Sequence, residues 1–186
     1  MSLREKIEFI EWHIKRHDQL RVSASSRASI VLSACAILSA GNAVILSQLL
    51  GSSADVRGWV LVVLSAGIAA SACLIIVTVI LSTNVLISIR PSSKRFPDDD
   101  RPTGLLFHAA HTVRHIHSFP QFRALIEGEH YGQVLEQAEV ELWLAMQHYM
   151  YRYGKLRGAV IAFRGAAIIF VCVLTASVVV NLVHRF

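Results

Sequence analysis

The chain has 186 residues, of which 54% are hydrophobic and only 17% charged, and its mean hydropathy is +0.50. An ordinary soluble domain carries about 25% charged residues, so the composition excludes a disordered chain, a disulfide scaffold and a highly charged nucleic-acid-binding domain. The formal net charge is +5 with nine histidines counted neutral. A basic polar part beside an apolar one suits anionic lipid heads or an anionic ligand, and no nucleic acid is expected as a partner.

Residues 1–27 read as a cytosolic amphipathic helix. Leu3, Ile7, Ile10 and Ile14 recur at steps of four, three and four, which is one helical face, and charges fill the others. No Pro or Gly interrupts the chain before Gly41, so this helix is expected to run on into the apolar stretch that follows. The alternative is a separate helix lying on the inner leaflet.

Three runs lack Asp, Glu, Lys and Arg: 28–54, 58–89 and 165–183, of 27, 32 and 19 residues. A helix needs about 20 residues to cross the hydrocarbon core. The expected fold is therefore an all-α membrane protein with transmembrane helices at 28–50, 58–89 and 158–183. At 1.5 Å per residue the second run would reach ~48 Å, so its end should project into the cytosol. Helical stems and a helical insert between the second and third spans make up the rest. Cys35, Cys73 and Cys172 all fall inside the spans without ligand or pairing spacing, and read as small apolar packing residues. Leu32-Ser33-Ala34-Cys35 imitates a lipoprotein cleavage box, but the polar residues before it and the apolar run after it are wrong for a cleaved signal.

Residues 90–130 read as a cytosolic linker with short helices. Pro91 ends the second helix, Asp98-Asp99-Asp100 form a solvated turn, a helix is expected over 105–118, and Pro120 should break it before a further turn at 121–127. His108, His111, His115 and His117 cluster on that first helix beside Arg114. Solvated or packing histidines, contact with an anionic ligand, and a metal site are the three readings. No acidic residue or cysteine completes a ligand set, so neither metal nor other cofactor is expected. Arg101 with His108, and Arg123 with His130, have the spacing of a helical RNA-cleaving site, but Pro102 and Gly128 interrupt them. Residues 131–157 form a stem helix whose apolar positions Leu135, Ala138, Leu142, Ala145, Tyr149 and Leu156 keep three- and four-residue steps or their sum. Gly154 and Gly158 suggest close helix contact or a kink.

Lys and Arg set the expected orientation. Six precede the first run, one lies between the first two, nine lie between the second and third with Arg164 at the edge, and one follows. This predicts a multi-pass protein of a bacterial inner membrane with its N-terminus and long insert in the cytoplasm and its C-terminus outside. Ser33, Ser39, Asn42 and Ser47, then Ser65, Ser71 and Thr78, then Thr175, Ser177 and Asn181 are the polar residues noted in the spans. They either pack helix on helix or line a wet pore of an oligomer. Gly41, Gly67 and Gly165 suit close packing, and the two stem stripes suit a homo-oligomer.

Ala24-Ser25-Ser26-Arg27-Ala28-Ser29 is similar to the Ala-Asp-x-Lys-Ala-Ser pattern of the Pycsar transmembrane effectors, with Ser25 and Arg27 in place of Asp and Lys. Arg152-Tyr153-Gly154-Lys155-Leu156-Arg157-Gly158-Ala159 is similar to their basic-Tyr-x-x-Leu-Arg-x-Ala stem. The order of stem, span, span, insert, stem and span also matches. The resemblance implies a non-enzymatic antiphage effector that responds to a cyclic pyrimidine mononucleotide, cCMP or cUMP, and impairs the inner membrane, with Ala24, Arg27, Ala28, Tyr153, Leu156 and Arg157 as family-motif residues. Arg95, Arg101, His111, Arg114, His115 and Arg123, cations and imidazoles that the insert offers, are the expected contacts to such a nucleotide. A scaffold whose cytosolic helices recruit a partner is the competing reading, and a membrane-tethered nuclease the third.

Overall fold

The computed structural model describes residues 2–51, 58–87, 118–128 and 130–183. They form four helices, α1 (Leu3–Gly51), α2 (Gly58–Leu86), α3 (Phe119–Gly128) and α4 (Tyr131–Val183), and no strand occurs among them. The fold is all-α. Three helices, Leu3–Gly51, Gly58–Leu86 and Tyr131–Val180, are long and apolar enough to cross a membrane.

Local chemistry fixes the helix starts. Ser2 Oγ accepts the Glu5 N–H at 3.3 Å and the Ser2 N–H donates to Glu5 Oε2 at 2.7 Å, a reciprocal capping box that satisfies two otherwise unpaired donors. Ser118 Oγ accepts the Gln121 N–H at 3.4 Å. Pro120 falls in the first turn of α3, where its missing N–H has no partner to lose. It therefore begins a helix, and most of the segment it was expected to terminate, 105–117, lies outside the described residues. At α4 the His130 N–H donates to Gln133 Oε1 at 3.0 Å. α2 ends at Leu86 with Ile87 already non-helical, and 88–89 lie outside the described residues.

Two compact units divide the chain, a stem unit of Met1–Ser23 with Ile89–Tyr151 and a span unit of Ala24–Ser88 with Arg152–Phe186. In the stem unit Ile10, Gln137 and Leu144 are buried, and the rings of His17 and Tyr149 meet edge to face at 5.9 Å. The surface carries short-range ion pairs, Arg4–Glu8, Lys15–Glu11, Arg21–Asp18 and, on α3, Arg123–Glu127. Such exposed pairs contribute little stability individually. Leu135 and Leu142 are half-buried, whereas Phe9, Trp12, Trp143, Met146 and Met150 are exposed.

In the span unit the buried positions keep one period. On α2 they are Leu64, Ile68, Ser71, Ile75, Thr78, Ser82 and Val85, alternating steps of four and three. Ala24, Ala28, Cys35, Asn42, Ile45 and Leu49 on α1, with Val31 and Leu38 half-buried between them, keep the same rhythm. So do Leu156, Ala159, Phe163, Ala166, Phe170, Val173 and Ser177 on α4. A mean spacing of 3.5 residues is the seam of a coiled coil, which keeps the contact face aligned over about six to seven turns. Three clusters fill it. Ala24, Ala28, Val85 and Leu156 with Val160 lie at one end, Cys35, Ile75 and Ala166 in the middle, and Ile45, Leu49, Leu64, Ile68 and Val173 at the other. The pairing makes α1 and α4 parallel in this unit and α2 antiparallel to both.

Glycine sets how closely these helices approach. A Cβ on Gly67 would sit 2.6 Å from Val173 Cγ2, and one on Gly41 2.7 Å from Phe170 Cζ. At Gly154 nothing lies within 4 Å; α4 passes through it as continuous helix.

Candidate functional site

Five of the six expected nucleotide contacts, Arg95, Arg101, His111, Arg114 and His115, lie outside the described residues, as do His108, His117 and the Asp98–Asp100 turn. Arg123 lies on α3, exposed, with its Nε donating to Glu127 Oε1 at 2.8 Å. The His130 once paired with it by spacing caps α4 instead.

The six motif residues divide by chemistry. Ala24, Ala28 and Leu156 are buried and share one apolar cluster with Val85 and half-buried Val160. Ala28 has no exposed surface, so a larger side chain there would displace its neighbours. The small Ala-x-x-x-Ala step on α1 thus makes room for Leu156 on α4. Arg27 and Arg157, each one residue from that cluster, are exposed, as is Tyr153. The two stretches, more than a hundred residues apart in the chain, form a joint at the base of the apolar bundle with its cations on the outside.

Further along the seam is a polar clasp. Asn42 Nδ2 donates to Ser71 Oγ at 3.1 Å, and Ser71 Oγ donates to the Ala166 carbonyl at 3.3 Å. One chain of two hydrogen bonds therefore ties α1, α2 and α4 together. It is incomplete, because Asn42 Oδ1 is buried without a partner, and so is Ser82 Oγ about three turns from Ser71 along the seam of α2. Thr78 Oγ1 returns to the Leu74 carbonyl of its own helix. A buried acceptor left unpaired costs about 1–3 kcal/mol, so this packing holds a local weakness where the spans meet.

Ser177 is also buried in the seam, but five other hydroxyls lie off it. Ser33, Ser39, Ser47, Ser65 and Thr175 are exposed and donate to carbonyls three or four residues earlier in their own helices. That arrangement lets a hydroxyl face lipid without an unpaired donor. Sequence inspection named Asn42, Ser71 and Thr78 but passed over Ser82, which nothing in its apolar surroundings distinguishes from Thr83 beside it.

No known protein family, curated protein or solved structure matches the chain.

Proposed function

We propose that this chain is a signal-gated membrane effector of bacterial antiphage defence, which senses cCMP or cUMP through its cytosolic insert and then disrupts the inner membrane. The observation that carries the reading is the joint of Ala24, Ala28, Leu156 and Val85. The two stretches that resemble the Pycsar effectors meet there, at the base of the bundle. Each stands on a helix, of 49 or 53 residues, that continues unbroken from charged stem to apolar span. Further support comes from the bundle interior, which among the described residues offers no Asp, Glu, Lys, Arg or His between the spans for transport chemistry but does contain an underbonded clasp. A ligand that favours one arrangement of the helices shifts the population toward it, and packing with two unpaired polar atoms resists such a shift less than a fully satisfied one.

In this reading the N-terminus is cytoplasmic and the active form is a homo-oligomer, since three helices enclose no channel. Membrane potential measured in cells with and without cCMP or cUMP tests it: depolarisation that depends on the nucleotide and on this protein is the expected result. A chain that leaves the potential unchanged with both nucleotides is not such an effector. The scaffold reading draws on the exposed Phe9, Trp12, Trp143, Met146 and Met150 of the stem unit, which would serve a partner protein; it predicts an unchanged potential.

A further inference from the structure

The span unit is electrostatically one-sided. Its described residues include Arg27, Arg152, Lys155, Arg157 and Arg164 but neither Asp nor Glu. Arg27, Arg152, Lys155 and Arg157 flank the end of the bundle marked by Ala28, Val85 and Leu156, and Arg164 lies two turns above Arg157, between Phe163 and Ala166 of the middle cluster. In the stem unit, by contrast, Arg4, Lys15 and Arg21 each pair with a carboxylate on the same helix. Arg27, Arg157 and Arg164 are exposed and form no ion pair among the described residues. They are therefore free to meet an anion from outside the described residues.

Depth identifies it. From Arg164 to Val183 is 19 residues, about 28 Å of helix, close to the thickness of the hydrocarbon core. With Val183 at the far edge, Arg164 stands at the near edge. Arg157 is two turns, about 10 Å, further out on the same side of α4, at the level of the headgroups. Arg27, next to Ala28 in the cluster that contains Leu156, stands at a similar level. Tyr153, Arg157, Ile161, Arg164 and Ile168 follow one another at steps of four and three on this face, and all are exposed. An aromatic and a cation come first, and beyond them isoleucines alternate with the last cation, Arg164, as on a helix entering acyl chains from the headgroups. Helical side chains lean toward the N-terminus, which for Arg164 is toward the headgroups, with its methylene stem along Ile161.

We infer that Arg157 and Arg164, with Arg27 beside them, form a binding surface for the phosphates of anionic phospholipids in the leaflet at the base of the bundle. Two guanidiniums on one face offer forked donors to phosphate oxygens, and exposed Ile161 between them and Ile168 above them offer an apolar surface to the acyl chains. Lipid phosphate, rather than free phosphate, fits this surface because its upper half is apolar and lies within the bilayer. The inference rests on the helices crossing a membrane and is independent of any nucleotide.

The test is native mass spectrometry and lipid titration of the full chain in neutral detergent, with phosphatidylglycerol and phosphatidylcholine as probes. Phosphatidylglycerol should be retained and phosphatidylcholine lost. Arg157→Gln and Arg164→Gln should each weaken phosphatidylglycerol binding about fivefold and together about 25-fold. The Lys variants at both positions should keep most of it, and Lys15→Gln in the stem should change nothing. Circular dichroism of each variant verifies that it is folded. Equal retention of the two lipids by the unmodified protein overturns the inference without reference to any variant, as does full retention by the folded double Gln variant. Displacement of the lipid by millimolar inorganic phosphate as complete as by excess phosphatidylglycerol would make this a free-phosphate site and also overturn it. Binding of cCMP and cUMP to the same preparation is read separately, so failure of the lipid surface and failure of the effector reading are distinguishable.

Discussion

Asn42 and Ser71, 29 residues apart, are joined by an Nδ2–H···Oγ hydrogen bond of 3.1 Å in the interior of the three-helix bundle. The Ser71 hydroxyl donates in turn to the Ala166 carbonyl, while the Asn42 carbonyl oxygen has no donor. The two residues therefore differ in what their removal does. Asn42→Leu deletes the donor and the unpaired acceptor together, leaves Ser71 bonded to α4, and keeps the branched heavy-atom skeleton of the side chain. Its expected cost is below about 1 kcal/mol, since apolar replacement of a poorly satisfied polar group is nearly neutral. Ser71→Ala strands the whole Asn42 amide and should cost about 1–3 kcal/mol. Unfolding in detergent, followed by a thermal or steric-trapping assay, orders the two. A more damaging Asn42→Leu would mean that the clasp is not the weak element described above.

The glycines give a prediction of opposite signs. Gly67→Ala places a methyl 2.6 Å from Val173 Cγ2, and the stiff β-branched Val cannot swing aside. A loss of about 1–3 kcal/mol is expected from this overpacking. Gly154→Ala meets nothing within 4 Å and gains up to about 1 kcal/mol of helix propensity. Melting temperatures of the two variants in one detergent should move in opposite directions.

How much of this was legible in the sequence depends on the segment. The all-α class followed from uncharged runs that soluble helices seldom sustain, whereas the stem stripe of Leu135, Ala138 and Leu142 is only half-buried and the buried stem positions on α4 are Gln137 and Leu144. Inside the spans the contrast of charged and apolar faces disappears. An apolar residue such as Ile76 or Ile75 gives the same reading whether it faces outward or inward, yet Ile75 is buried and Ile76 exposed. Only close-packed glycines and bonded polar residues reveal the seam. Gly41, Gly67 and Asn42 were thus recognisable as packing candidates, while Ser82 was not, and Gly154 suggested a contact that is absent. The ligand candidates rested on charge alone, and charge locates a cation in the chain without bringing two of them together.

Arg114 is the first of the nucleotide candidates to test, because it stands beside the histidine cluster in the segment between the spans. A cyclic mononucleotide presents one phosphate charge, and losing a charge-assisted contact to it costs about 1.5–3 kcal/mol. Arg114→Ala should weaken cCMP or cUMP binding roughly ten- to a hundredfold. Arg123, already paired with Glu127 on an exposed helix face, should matter less: Arg123→Ala is expected to change the affinity by less than about threefold. Calorimetry on the purified chain decides both. Unchanged affinity in Arg114→Ala removes that residue from the site, and no binding by the unmodified protein removes the ligand assignment.

Orientation is the prediction with the simplest electrostatic basis. The exposed cations Arg27, Arg157 and Arg164 stand at one end of the bundle, and the described residues at its other end, Gly51, Gly58 and Val183, carry no charge. Lys and Arg near span ends are retained on the cytoplasmic side during insertion, so that end should face the cytoplasm, leaving the C-terminus outside. A fluorescent reporter that matures only in the cytoplasm is fused after Phe186 in one strain and after Leu125 in another. The Leu125 fusion should glow and the Phe186 fusion should stay dark; the reverse pattern would place the insert outside and remove it from reach of a cytosolic nucleotide. Converting Arg27, Arg157 and Arg164 together to Gln should weaken this bias and give a mixed population, read as a gain of signal in the Phe186 fusion.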